Sequence, residues 1–156
     1  MGRFLFIYSY NMAKKDLSHI NLKSFPHSTP IQIRFVDIDR VGHVNNATTI
    51  SYFETARVIF LDDSIGREND WFGRGLILAH TEVDYVLPIY LEDKIKVYSK
   101  VIKMGNKSFD MENVLIKEED GKELVSAVAT FVLVCMDYKT NKTIDIPSHW
   151  KDKLAP

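Results

Sequence analysis

The stretch Arg34-Phe35-Val36-Asp37-Ile38-Asp39-Arg40-Val41-Gly42-His43-Val44-Asn45-Asn46-Ala47-Thr48-Thr49-Ile50-Ser51-Tyr52-Phe53-Glu54-Thr55-Ala56-Arg57 decides how this chain is read. Leading into it, Ile31 to Val36 alternates apolar and polar residues, which predicts a short strand. Asp37 to Asn45 then breaks the alternation with Asp, Gly and Asn, residues that satisfy irregular backbone at turns and helix caps. From Asn46 the period changes: Ile50, Phe53, Ala56 or Arg57, and Phe60 recur at three- and four-residue spacing and make one apolar face. The spacing predicts a helix of roughly four to five turns that ends near Leu61, because Asp62 and Asp63 suit the negative end of a helix dipole poorly. Acid, amide and glycine chemistry thus sits on a turn between strand and helix. A carboxylate held there, facing the first unpaired amides of a helix, can attack an acyl carbonyl while those amides hold the developing negative charge. The pattern points to acyl chemistry.

The remainder reads as strands divided by turns. Ile77 to Leu87 ends at Pro88, Asp93 to Lys103 precedes the turn Met104-Gly105-Asn106-Lys107, and Ser108 to Lys117 runs into Glu118-Glu119-Asp120-Gly121-Lys122, whose Asp-Gly pair signals a hairpin. The last strand, Leu124 to Met136, is nearly unbroken apolar sequence, as a central strand covered on both faces would be. One helix covers one face of such a sheet, so the other apolar face predicts a second subunit. Strand, long helix, then four strands joined mostly by hairpins describes an α+β domain: a five-stranded antiparallel sheet wrapped around one long helix, the hotdog fold.

Composition narrows the function. At 156 residues and 46% hydrophobic, the chain supports one domain with a proper core. A formal net charge of −1 and a pI near 6.5 leave no electrostatic footprint for nucleic acid or an anionic membrane surface. The single cysteine, Cys135, lies in an apolar run and reads as a buried, inert thiol, which fits the reducing cytoplasm. The opening Gly2 to Tyr10 resembles a very short signal core, but Ser9 and the tyrosines interrupt it and a small-residue cleavage site is lacking. Met12 can equally serve as the start. Residues 1–25 are therefore expected to be a poorly ordered extension ahead of a single domain over 26–156. No apolar stretch approaches the roughly 20 residues of a membrane span.

The pattern Arg34-Phe35-x-Asp37-x-Asp39-x-x-Gly42-His43-Val44-Asn45-Asn46, followed by Tyr52-Phe53-Glu54-x-Ala56-Arg57, resembles the hotdog acyl-CoA thioesterases of the 4-hydroxybenzoyl-CoA thioesterase and YbgC-like group. Val83-Asp84-Tyr85-Val86-Leu87-Pro88, Ser126-Ala127 through Val134-Cys135-Met136-Asp137, and Ile146-Pro147 follow the same layout, so the likeness covers about residues 31 to 150. It implies a hydrolase that cleaves an acyl-CoA, or an acyl carrier protein thioester, to free acid and thiol.

The resemblance places the catalytic carboxylate at Asp39, as nucleophile on the thioester carbonyl or as general base for water. The oxyanion donors would be backbone amides around Asn45 to Ala47, with the Asn46 side chain orienting carbonyl or water. A second branch of these enzymes uses a helix glutamate, which makes Glu54 the rival carboxylate; otherwise Glu54 pairs with Arg57 one turn on. Gly42, His43, Val44, Asn45 and Tyr52 are assigned to substrate binding. Asn106, Lys107 and Ser108, on the turn after the third strand, are assigned to the coenzyme A phosphates. Asp37 reads as a turn-stabilising acceptor, and Phe109, Phe131 and Tyr85 read as core. Thr49 stands where many relatives carry an aromatic residue, and Arg40 where they carry a small residue or proline; both reshape the acyl pocket.

His80, Glu82 and Asp84 alternate on one strand face, but their spacing of nearly 7 Å suits a polar face rather than a metal site. No cofactor or metal is implied, because coenzyme A enters as part of the substrate. The resemblance implies a homodimer and, by family habit, a homotetramer, with no nucleic-acid or membrane partner. Two other functions keep the fold: a hydratase or dehydratase, and a non-catalytic acyl-CoA-binding protein.

Overall fold

The computed structural model describes residues 17–66 and 73–156; the signal-like opening lies outside them. Eight regular elements follow in chain order: β1 (His27–Ile31), α1 (Asn46–Ile65), β2 (Arg74–Tyr85), β3 (Lys94–Met104), β4 (Ser108–Glu119), β5 (Lys122–Asp137), β6 (Lys142–Thr143) and α2 (Ser148–Leu154). The sheet runs β1-β3-β4-β5-β2 with every pairing antiparallel, and the two-residue β6 adds to the end of β5. β3, β4 and β5 are successive hairpins. At the β4–β5 turn Asp120 (φ 50) and Gly121 (φ 73) both take left-handed backbone, as the Asp-Gly signal requires. The sheet curls around α1, which is the hotdog arrangement expected from sequence.

The core lies between α1 and the concave sheet face. Phe53, Ala56, Phe60, Leu61 and Ile65 of α1 pack with Ile95, Val97 and Val101 of β3, Phe109, Met111 and Leu115 of β4, and Ala127, Ala129, Phe131, Leu133 and Cys135 of β5. Phe109, Phe131 and Cys135 are core residues, as their sequence context predicts. Trp150 and Leu154 of α2, an element the sequence reading did not anticipate, close one end of this core. A buried polar pair also crosses the face: Asn113 Nδ2 donates to Ser99 Oγ at 2.8 Å, so a register slip between β3 and β4 would strand both groups in the core.

Three expectations need correction. The first strand is His27–Ile31, not Ile31 to Val36. Pro30 does not prevent it, because β1 is an edge strand with one partner and needs no second row of donors. Phe35, taken as an inward strand position, is instead 84% exposed on a 3-10 turn spanning Phe35–Asp37. The helix runs past Leu61 to Ile65, where Gly66 (φ 80) stops it; His27 bonds Asp63 at 3.0 Å and gives one terminal carboxylate a tertiary partner.

The third correction concerns residues 17–25. They are packed rather than loose: Leu17, Ile20, Leu22 and Phe25 lie with Val114, Ile116 and Val128 on the convex sheet face. Lys100 stands 4.2 Å over the Phe25 ring and 3.0 Å from Glu112, which His19 also meets at 3.5 Å. Part of the second face, assigned from sequence to another subunit, is therefore covered by the chain itself.

Candidate active site

The loop ahead of α1 is built around Asp37. Its carboxylate accepts from Arg34 N (2.8 Å), Arg34 Nη2 (2.7 Å), Arg34 Nε and the Tyr52 hydroxyl (2.6 Å), while its backbone carbonyl accepts from Asn45 N–H at 2.9 Å. Asp37 is 2% exposed. The Arg34 guanidinium, aided by the Tyr52 hydroxyl, outweighs burial and holds the Asp37 carboxyl down to about 2. Burial and the adjoining carboxylate push the Tyr52 phenol well above its ordinary range, so it remains a donor. Asp37 is the turn-stabilising acceptor that its sequence context predicts. Tyr52, assigned to substrate binding, is spent on that acceptor inside the core and does not line the cleft described next.

Asp39 stands two residues on, half-buried, on a tight turn. Its Oδ1 accepts from Val41 N–H (2.8 Å) and His43 N–H (3.3 Å), and its own N–H donates to the His43 carbonyl at 2.8 Å. Gly42, with φ 89, closes the turn through its N–H to the Asp39 carbonyl at 3.1 Å; a side chain there would be strained although nothing crowds it. Among the described residues no donor reaches Oδ2. One carboxylate oxygen is anchored and the other carries no such bond.

The α1 N-terminus supplies the opposite charge. Asn45 is the N-cap and its Oδ1 takes the Ala47 N–H at 2.8 Å. Of the three amides expected to act together, Asn45 and Ala47 are thus occupied by Asp37 and by the cap. The Asn46 N–H is the one left without an acceptor among the described residues, at the positive end of the helix dipole.

Asp39, His43, Val44, Asn46 and Thr49 come together along one cleft of about 180 Å³, whose other wall is Tyr85 to Ile89 with Ser126 and Ala127. Val44 N–H bonds the Ile89 carbonyl at 2.8 Å and ties the two walls together. His43 is a half-buried wall residue set edge-on to Tyr90, with centroids 4.9 Å apart. Thr49, 2% exposed, lines the cleft, whereas Arg40 is exposed and does not. Tyr85 corrects the sequence reading: it is 39% exposed, lines the cleft, and donates its hydroxyl to the Asn46 carbonyl at 3.0 Å. Ser126 was missed as well. The signal available for both was the Val83–Pro88 and Ser126-Ala127 stretches, read as layout rather than as walls.

The remaining candidates lie elsewhere. Glu54 is exposed, stands 3.7 Å from Arg57, and belongs to a separate cleft with Leu61, Gly75 and Tyr138. Arg57 itself is buried over the Phe131 ring at 4.8 Å. The Asn106-Lys107-Ser108 turn sits at the opposite end of the sheet: its carbonyls accept from Ile146 and Cys135, and Lys107 Nζ reaches the Thr143 carbonyl at 3.4 Å. Ser108 pairs with Val134 whereas the cleft reaches Ala127, a separation of seven β5 residues, or about 23 Å at roughly 3.3 Å each. Within one chain this turn is remote from Asp39. His80, Glu82 and Asp84 pair with Val132, Thr130 and Val128 and share one face of β2, and no metal-ligating cluster of three or more forms among the described residues. No helix among the described residues is long and apolar enough to cross a membrane.

Comparison with known proteins shows the family and supports the fold. Residues 33–154 match the model of the Thioesterase-like superfamily. The chain is 28% identical over 129 residues to the long-chain acyl-CoA thioesterase FadM of Escherichia coli, covering 81% of this chain and 95% of that protein. Among solved structures, a Thermus thermophilus thioesterase complexed with coenzyme A and Zn superposes with a TM-score of 0.71 at 29% identity, covering 85% of this chain and 99% of its own. The PA5185 protein of Pseudomonas aeruginosa gives a TM-score of 0.76 at 28% identity, covering 85% of this chain and 92% of its own.

Proposed function

Taking as premise that this chain is a thioesterase and belongs to the Thioesterase-like superfamily, we propose that it hydrolyses acyl-CoA to free acid and coenzyme A, with Asp39 as the catalytic carboxylate. The observation that carries the reading is the pairing, in one cleft, of an Asp39 oxygen without a donor and the unoccupied Asn46 amide. A thioester carbonyl set between them has its carbon open to the carboxylate, or to a water that the carboxylate deprotonates. Its oxygen lies toward the helix N-terminus, where the growing negative charge is stabilised. The anchored Oδ1 keeps the carboxylate from turning away, and the Asp37 cluster keeps the loop in place. The names of the relatives support coenzyme A as the thiol; an acyl carrier protein thioester is a second carrier to assay.

The working unit is proposed to be a homodimer. β2 is an edge strand of 12 residues, and Ile77, Leu78, Tyr85, Val86 and Leu87 along it and just beyond are each 38–40% exposed. Such an apolar edge calls for a partner strand, and a second copy supplies an identical one. In that assembly the remote Asn106-Lys107-Ser108 turn would serve a neighbouring cleft rather than its own. A tetramer would have to use surfaces other than the part of the convex face that residues 17–25 occupy.

Release of free thiol from a panel of acyl-CoA lengths and one aromatic thioester, by wild type and Asp39→Ala, tests the reading. Asp39→Ala protein that keeps full turnover would sink the mechanism. Saturable acyl-CoA binding with no thiol release would favour the binding-protein function, and hydration of crotonyl-CoA without thiol release would favour the hydratase.

A further inference from the structure

Three hydroxyl groups belong to residues lining the Asp39 cleft: Thr49, Tyr85 and Ser126. Two are already spent on the start of α1. Thr49 Oγ1 donates to the Asn45 carbonyl at 3.3 Å and Tyr85 to the Asn46 carbonyl at 3.0 Å. Ser126 differs from both. It is 1% exposed, and its Oγ has no hydrogen-bond partner among the described residues.

Backbone geometry explains how a serine comes to stand there. The β4–β5 register passes from Leu115–Ala127 to Ile116–Val125 and leaves Ser126 out, a bulge that takes its side chain out of the regular alternation of β5. The Ser126 carbonyl, freed from the ladder, accepts from Val86 N–H (2.8 Å) and Leu87 N–H (3.1 Å) and holds the opposite wall against the bulge. The backbone of the bulge is therefore satisfied and only the hydroxyl is not. Leaving a buried hydroxyl unpaired costs a factor of roughly five to a hundred in an equilibrium constant, a cost that a ligand supplying a partner atom removes.

We propose that Ser126 is a specificity-determining residue, which hydrogen-bonds an oxygen substituent on the acyl group and so selects hydroxyacyl over plain alkyl thioesters. The inference rests on the proposed placing of the thioester carbonyl between Asp39 and Asn46. With the carbonyl there, the acyl group continues along Val44, Thr49, Leu87, Ile89 and Ala127, an otherwise apolar or already satisfied lining. A plain alkyl chain fills that space and leaves the already buried Ser126 hydroxyl unpaired. An acyl hydroxyl gives it a partner.

The experiment compares butyryl-CoA with its 2-, 3- and 4-hydroxy derivatives, using wild type and Ser126→Ala, by thiol release. Wild type is expected to show kcat/KM about tenfold or more higher for one hydroxy isomer than for butyryl-CoA, and Ser126→Ala to bring that ratio to within about twofold. Equal wild-type rates across the panel would overturn the proposal. So would a Ser126→Ala protein that loses rate equally on all four substrates, since that is the mark of a water-holding or structural serine. Absence of thiol release from every member, and from the longer and aromatic thioesters as well, would remove the hydrolase mechanism first and this inference with it.

Discussion

Replacing Tyr52 by phenylalanine removes one oxygen atom from the support of the loop ahead of α1 and leaves the ring in the core. Tyr52 is 6% exposed and donates at 2.6 Å to the Asp37 carboxylate, which is itself 2% exposed. A hydrogen bond to a buried charge contributes about 1.5–3 kcal/mol, and the lost donor leaves one lone pair of Asp37 unpaired in the interior. For a chain of this size that corresponds to a fall of about 1 M in the urea midpoint at fixed protein concentration.

The same substitution has a signature in pH. Asp37 is depressed from 3.8 to about 2 in the folded protein, so its contribution is present above about pH 4 and fades as pH falls through about 2. Removing Tyr52 raises the folded value, narrows that window and moves the acid limb of unfolding upward. Arg34 is the larger cause of the depression and remains in place, so the limb moves only part of the way. Urea titrations from pH 7 to pH 2.5, followed by tryptophan fluorescence, read both effects. KM is expected to stay within about twofold, because Tyr52 does not line the cleft. A Tyr52→Phe protein with an unchanged midpoint and a raised KM would refute the reasoning and return Tyr52 to substrate binding.

Other consequences can be measured in the same way. Asn46 is the first helical residue after the cap, a position that tolerates proline, so Asn46→Pro deletes the amide while keeping the helix; a loss of about 10²–10³ in kcat is expected, whereas Asn46→Ala keeps the backbone donor and loses only what the side chain adds by orienting carbonyl or water. Asp39→Asn should lower thiol release by about 10²–10⁴ with circular dichroism unchanged. Glu54→Gln removes the carboxylate 3.7 Å from the buried Arg57 guanidinium, so stability should fall by about 1 kcal/mol while kcat is retained. Leu78→Lys on the β2 edge should shift the protein toward monomer in sedimentation and take activity with it.

Much was legible from the chain because it is a matter of local chemistry. The Asp-Gly turn, the change of period at Asn46 and the capping asparagine depend on neighbours within four residues, and each appears where the sequence puts it. The strand bounds were less secure. Ile31, Ile33 and Phe35 alternate as a strand should, yet the Arg34–Asp37 contacts fold Phe35 outward and the true edge strand begins earlier, across Pro30. Local pattern had no means of weighing a guanidinium three residues away against alternation.

What the sequence by itself determined is the fold class, the loop that carries Asp37 and Asp39, and the helix that begins at Asn46. Only the tertiary structure decided what faces that loop. Tyr85 and Ser126 reach the cleft from strands some 40 and 80 positions along the chain, through β2–β5 pairing and a bulge that no short window encodes. It also separated Glu54 from Asp39, consumed two of the three helix-start amides, and laid residues 17–25 over the convex face. The physical reason is the same in each case. Spacing along a chain fixes which groups share a turn, whereas burial and hydrogen-bond satisfaction across the sheet fix which of those groups remain free to react.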